Sequence, residues 1–178
     1  MTLRPLPRRL LFVCTANICR SPSAEALARH RHGEDRMLFR SAGFLEAGRR
    51  CPDLLVQTLA EWEIDVTRHQ SYQLDTASLG AADLVLTMEG EHVRNATLLD
   101  RTSFTKIMPL KEAADRLRRS GPLELESFVE MVNRERDPTS YLSSRWDVDD
   151  PYNRKLKDYR RVVAELAELV DVVVSGLN

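Results

Sequence analysis

Short apolar runs alternate with longer amphipathic ones along this chain. RLLFVC (Arg9–Cys14) is compact, apolar and followed by a polar turn, the pattern of a buried strand. In SAEALARHR, which follows, Ala24, Leu27 and Ala28 fall on one helical face with charges elsewhere. MLFRSAG predicts a second strand ending at Gly43, and DLLVQTLAEWEI sets Leu55, Leu59 and Trp62 at helical intervals. DLVLTM (Asp83–Met88) is the cleanest buried strand, and FTKIMPL (Phe104–Leu110) predicts a fourth. The closing stretch, LKDYRRVVAELAELVDVVVSGL, predicts one long helix with a broad apolar stripe.

Strands separated by helices and joined by short connections imply an α/β fold: a three-layer sandwich with a four-stranded parallel sheet between helices. In such sheets ligands bind at the carboxyl ends of the strands. The segment from about Lys111 to Arg145 is more charged, with two short helical patterns broken at Gly121-Pro122 and Asp137-Pro138. It predicts an excursion at the sheet edge or over the active face of a single domain spanning residues 1–178.

Bulk chemistry narrows the function classes. With 178 residues, 43% hydrophobic and 30% charged, the chain is long enough for one real core. A net charge of -1 gives no bulk reason to expect nucleic acid or an anionic membrane as partner. Cys14, Cys19 and Cys51 are too few for a disulfide framework and suit a reducing compartment. Cys-x4-Cys lacks the usual zinc spacing, and His30, His32, His69 and His92 complete no ligand set, so no metal or cofactor is expected. Arg4, Arg8 and Arg9 precede an apolar run of only Leu10 to Val13, far below the roughly 7–15 residues of a signal-peptide core. No stretch approaches the roughly 20 apolar residues of a membrane span, so a cytoplasmic monomer is expected.

The candidate chemistry lies in CTANICRSP, Cys14 to Pro22. Taken alone, Cys-x5-Arg constrains two positions, and a cysteine at a strand end is often a small buried hydrophobe. Ser21 is a good N-cap and Pro22 a favoured first helical residue, so a helix is expected to begin there. The loop would then curl over that helix's amino end with its N–H groups pointing into a hollow, a ready anion site. Arg20 adds a planar fork suited to two phosphate oxygens. A thiolate at the bottom of that hollow would be stabilised by the same donors. The sum is a phosphate cradle containing a nucleophile.

CTANICRSP closely resembles the signature of the low-molecular-weight protein tyrosine phosphatases. SAG (Ser41–Gly43), EIDVTRHQSYQL (Glu63–Leu74), ADLVLTM (Ala82–Met88) and DDPY (Asp149–Tyr152) resemble family landmarks in family order. The resemblance implies two-step displacement through a phosphocysteine on Cys14. Arg20 and the loop residues Thr15, Ala16, Asn17, Ile18 and Cys19 would hold the phosphoryl oxygens, with Ser21 donating to the thiolate. The Asp-Pro-aromatic pattern selects Asp150 over its rival Asp149 as general acid, then general base, and makes Tyr152 part of an aromatic wall. Asn17, a residue tolerant of left-handed backbone, would be braced with Ser41 and His69. Cys19 resembles a redox partner of the nucleophile, or else simply fills space beneath the loop. Expected substrates are phosphotyrosine-containing proteins or small phosphate esters.

Alanine stands at position 16 where the family usually has glycine, which narrows the backbone there. A tolerated methyl is the expectation. Two readings of different kinds stay open beside phosphotyrosine hydrolysis. Protein-arginine phosphatases share the fold but characteristically carry threonine where this chain has Ile18. A catalytically weak phosphate-sensing module is made possible by Ala16. Thioredoxin-coupled arsenate reductases need further cysteines late in the chain, and none follows Cys51.

Overall fold

The computed structural model describes residues 7–178, so Arg4 of the basic start lies outside the described residues. Four strands, β1 (Arg8–Cys14), β2 (Met37–Gly43), β3 (Leu84–Thr87) and β4 (Ile107–Pro109), form one sheet in the order β2-β1-β3-β4. All three pairings are parallel. Leu10 to Cys14 are buried without alternation, as a strand covered on both faces requires.

Among the described residues seven α-helices surround the sheet: α1 (Arg20–His32), α2 (Asp53–Ala60), α3 (Thr76–Ala81), α4 (Gly90–Leu99), α5 (Leu110–Ser120), α6 (Leu125–Glu135) and α7 (Leu156–Gly176). On one face Leu10 and Phe12 join side chains of α1, α2, α5, α6 and α7 in one cluster. On the other, Leu11, Val13, Val85 and Ile107 meet Leu79 of α3, Val93 and Ala96 of α4, and Tyr141. Among the described residues no helix is long and apolar enough to cross a membrane.

Three local expectations are corrected. The fourth strand is shorter than Phe104–Leu110, because Arg101–Lys106 winds into a 3-10 turn. Asp100 causes this: its carboxylate accepts from Thr102 N–H at 3.0 Å and from the Ser103 hydroxyl at 2.6 Å, turn chemistry that competes with extension. α2 also stops before Trp62, with Glu63 at φ 61. Finally, α1 begins at Arg20, one residue ahead of Ser21, with no side-chain cap. Pro22 falls in its first turn, where a missing N–H leaves no intrahelical bond unmade.

The charged segment after Lys111 does not fold back as a lid. The apolar sides of α5 and α6 (Ala113, Leu117, Phe128 and Val132 among them) enter the core beside α7. The turns Pro138–Leu142 and Ser144–Trp146 then run beneath α4, and their tail brings Val148 to β3, where its N–H bonds Met88 O at 2.8 Å.

Candidate active site

β1 lies between β2 and β3, and the crossovers leave it on opposite sides, so its carboxyl end is a topological switch point. Cys14 is the last residue of β1, in register with Gly43 at the end of β2. From there the chain makes a tight loop into α1. Asn17 takes φ 53 and is the loop's left-handed residue. Ala16 is outside that region, so its methyl costs no backbone strain.

The hydrogen bonds around Asn17 have a definite polarity. Tyr72 N–H donates to Asn17 Oδ1 at 2.8 Å, which fixes the amide's orientation. Its Nδ2 therefore donates to Ser41 Oγ and Ser21 Oγ, each at 2.8 Å. With a lone pair of Ser21 taken, its hydroxyl can donate to Cys14 Sγ, 3.0 Å away, or to Ala42 O at 3.3 Å. Asn17 N–H also donates to Sγ at 3.3 Å, and His69 Nε2 donates to Asn17 O at 2.8 Å. The far end closes on Glu25, whose carboxylate accepts from the Ser41 hydroxyl.

Arg20 is buried, 2% exposed. Its Nη1 donates to Glu89 and to Val148 O at 2.9 Å, and its Nη2 reaches Asp150 Oδ2 at 2.9 Å. Burial alone would weaken its hold on the proton, but Cys14, Asp150 and Glu89 outweigh that and push it above its ordinary range. Arg20 Nε is a buried donor with no partner among the described residues.

Asp149 and Asp150, adjacent in sequence, are separated by their partners. Asp149 turns to Arg161 at 2.8 Å, both side chains about half exposed, while Asp150 meets the buried guanidinium. Tyr152 is 44% exposed beside this turn, its N–H bonded to Asp150 Oδ1 at 3.0 Å. Thr15 faces solvent at the loop's outer edge, and Ile18 is buried beneath it. Cys19 is buried; burial foremost, then Asp150 and Cys14, pushes its thiol well up, so it stays protonated at neutral pH. Cys51 shares the same cluster, and burial and Cys14 push it up to about 12.

Two residues here were not singled out from the sequence. Glu89 pins Arg20 from the end of β3, and its only signal was an acid following a buried strand in a parallel sheet. His92, considered above only as a metal ligand, sits under the loop with Nε2 3.0 Å from Thr15 Oγ1 and its ring stacked on Phe44. Burial, then the charge of Arg20, lowers its pKa from the ordinary 6.5 to about 3. Above pH 6.5 the imidazole is neutral in folded and unfolded chains alike. As pH falls toward 3 the unfolded chain takes up a proton that the folded chain refuses, so stability is lost, at most about 1.4 kcal/mol per pH unit. Urea titrations at pH 7 and pH 4.5 are expected to show wild type losing about 2 kcal/mol more than His92→Gln. Equal losses would mean that His92 protonates freely in the folded state.

Gly43 is fixed by close approach. A Cβ there would lie 2.6 Å from Asn17 N, 2.8 Å from Ala16 C and 2.9 Å from Thr15 O, all main chain. Gly43→Ala must therefore displace the loop. We expect a cost of about 1–3 kcal/mol in stability and roughly 10²-fold in turnover, measured by urea titration and phosphate-ester hydrolysis. A fully active variant would show that loop geometry is not limiting.

Residues 9–126 match the family model described as low molecular weight phosphotyrosine protein phosphatase. A probable low molecular weight protein-tyrosine-phosphatase, EpsP of Ralstonia solanacearum, is 26% identical over 96% of this chain and 97% of its own. The solved low molecular weight protein tyrosine phosphatase of T. tengcongensis is 30% identical, with TM-score 0.72 over 94% of this chain and 98% of that one. The YwlE arginine phosphatase of Geobacillus stearothermophilus is 26% identical, with TM-score 0.72 over 95% of this chain and 92% of that one. With that family model matched over residues 9–126, more than half of the chain, the protein belongs to the low molecular weight phosphotyrosine protein phosphatase family.

Proposed function

We propose that this protein hydrolyses phosphotyrosine monoesters through a phosphocysteine on Cys14. One observation carries the reading: Cys14 Sγ lies at the base of a loop whose buried Arg20 is bonded to Asp150, and Arg20 Nε lacks a partner. An oxyanion in the cradle would meet that unsatisfied donor. In the first step Sγ attacks phosphorus, the S–P bond forms, the P–O bond to the tyrosyl oxygen breaks, and Asp150 gives that oxygen its proton. In the second, water attacks phosphorus while Asp150 takes a proton from it, and the thiolate leaves with the Ser21 hydroxyl donating to it. Arg20 and the loop amides hold charge that is spread over the equatorial oxygens, so the site acts by positioning and electrostatics.

Asp150 suits both roles because its side chain is 44% exposed, open to leaving group and water, yet one hydrogen bond from the clamp. Glu89 and Val148 O keep the guanidinium's other edge fixed, so Arg20 is held in place before any ligand arrives. A cysteine nucleophile works only while it is unoxidised, which supports residence in the reducing cytoplasm.

Ile18 favours an aryl over a guanidino phosphate. The test compares kcat/KM for a phosphotyrosine peptide, p-nitrophenyl phosphate and phosphoarginine. The peptide is expected to exceed phosphoarginine severalfold. The reverse ratio would assign the protein to arginine dephosphorylation, and phosphate binding with no turnover would make it a sensor.

A further inference from the structure

The sheet's two faces are not equally roofed. Away from α1 and α7, α4 and Tyr141 cover β3 and β4, while β1 and β2 have only the six-residue α3 and the segment leading to it. Strand pairing sets Arg9 beside Leu38 and Leu11 beside Arg40 on this thinly covered half. There a cleft of about 540 Å³ opens between the two strands, Tyr72 and Ala81 at the end of α3. That volume is within the range of small-molecule sites.

The cleft's lining selects a ligand class. Leu11, Leu38 and the Tyr72 ring are apolar surfaces for a flat hydrophobic body. Arg9 keeps its main-chain N–H on Asp83 at 2.7 Å, and its guanidinium has no partner among the described residues. Arg40 is a second cation, paired with Glu34 at 3.1 Å. Among the described residues the one acid lining the cleft, Glu25, is committed to Arg29 at 2.9 Å and to Ser41. The uncommitted charge is therefore positive. At its inner end stand Ser41, His69 and Tyr72, the three residues whose bonds fix Asn17 from behind the phosphate loop.

We propose that this cleft is a second ligand site, taking an aromatic monoanion with its ring on Leu11, Leu38 and Tyr72 and its charge at Arg9. Occupancy is coupled to the phosphate loop through Ser41, His69 and Tyr72. The coupling rests on the cradle binding phosphate; the existence of the site does not.

The probe is 1-anilinonaphthalene-8-sulfonate, titrated by fluorescence into the full chain, with near-ultraviolet circular dichroism reporting native packing. Saturable binding to one site is expected, weakened about tenfold by Arg9→Gln, the scale of one charge-assisted hydrogen bond. Ala81→Trp starts from an exposed position and fills the cleft without entering the core, so it should weaken the probe at least as much. Both variants keep Cys14-dependent turnover. Saturating inorganic phosphate then changes the probe's affinity by a finite factor, and the probe changes that of phosphate by the same factor, as linkage requires. Probe affinity that falls without limit as phosphate rises would put the sulfonate in the cradle. Equal affinity in wild type and both variants would put it elsewhere, and either result overturns the site. A probe affinity indifferent to phosphate overturns the coupling.

Discussion

Cys14→Ser is expected to abolish hydrolysis of every phosphate ester, by roughly 10⁴-fold or more, the scale on which loss of a covalent nucleophile acts. The hydroxyl would sit where the thiol does, within reach of Ser21 and the Asn17 N–H. It is a far poorer nucleophile at neutral pH, because only a negligible fraction ionises. The groups that would hold phosphate are untouched: the loop amides, and an Arg20 anchored by Glu89 and Val148 O. Turnover should vanish while calorimetry with inorganic phosphate still shows binding. Rapid quenching of wild type should trap phosphate on sulfur, and the variant should carry none. If wild type turns over no faster than the variant, the enzymatic reading is finished, and retained binding would then support a sensor.

Asp150→Asn is expected to lower kcat by about 10²–10⁴-fold on a phosphotyrosine peptide. The amide can keep a hydrogen bond with solvent at this half-exposed position but has no proton to give the leaving oxygen. p-Nitrophenolate is a much weaker base than tyrosinate and leaves without that help, so the first step with p-nitrophenyl phosphate should suffer less. That difference between substrates separates a lost proton donor from a merely disturbed loop. Asp149→Asn removes only an exposed pair with Arg161 and should change kcat little. Interchanged results for the two variants would transfer the role to Asp149.

Legibility from sequence followed how local each feature's cause is. β1, the loop and α1 are contiguous, so one run of apolar residues, a small polar loop and a proline sufficed to expect them. The Ser41 and His69 contacts with Asn17 were reachable only through family resemblance, since no spacing rule links positions that far apart. The Asp100 turn was missed because FTKIMPL read as one apolar run, while the side chain that bends it lies upstream. Glu89 and His92 escaped for another reason. An acid and a histidine at the start of a helix look like solvated residues until a buried arginine and the Thr15 hydroxyl are brought to them. Gly43 was visible as a strand end, but its need for a missing Cβ exists only once the loop is folded against it.

Arg20 and Asp150 are 130 residues apart in the chain, yet bonded. A growing polypeptide would expose strand, loop and clamp long before the acid emerged, and contacts of such high sequence separation are the slowest to close. On the proposed mechanism, full catalytic competence thus waits on the carboxyl-terminal half. Recovery of activity after denaturation should lag behind recovery of helical signal, making turnover itself a clock for the last stage of folding.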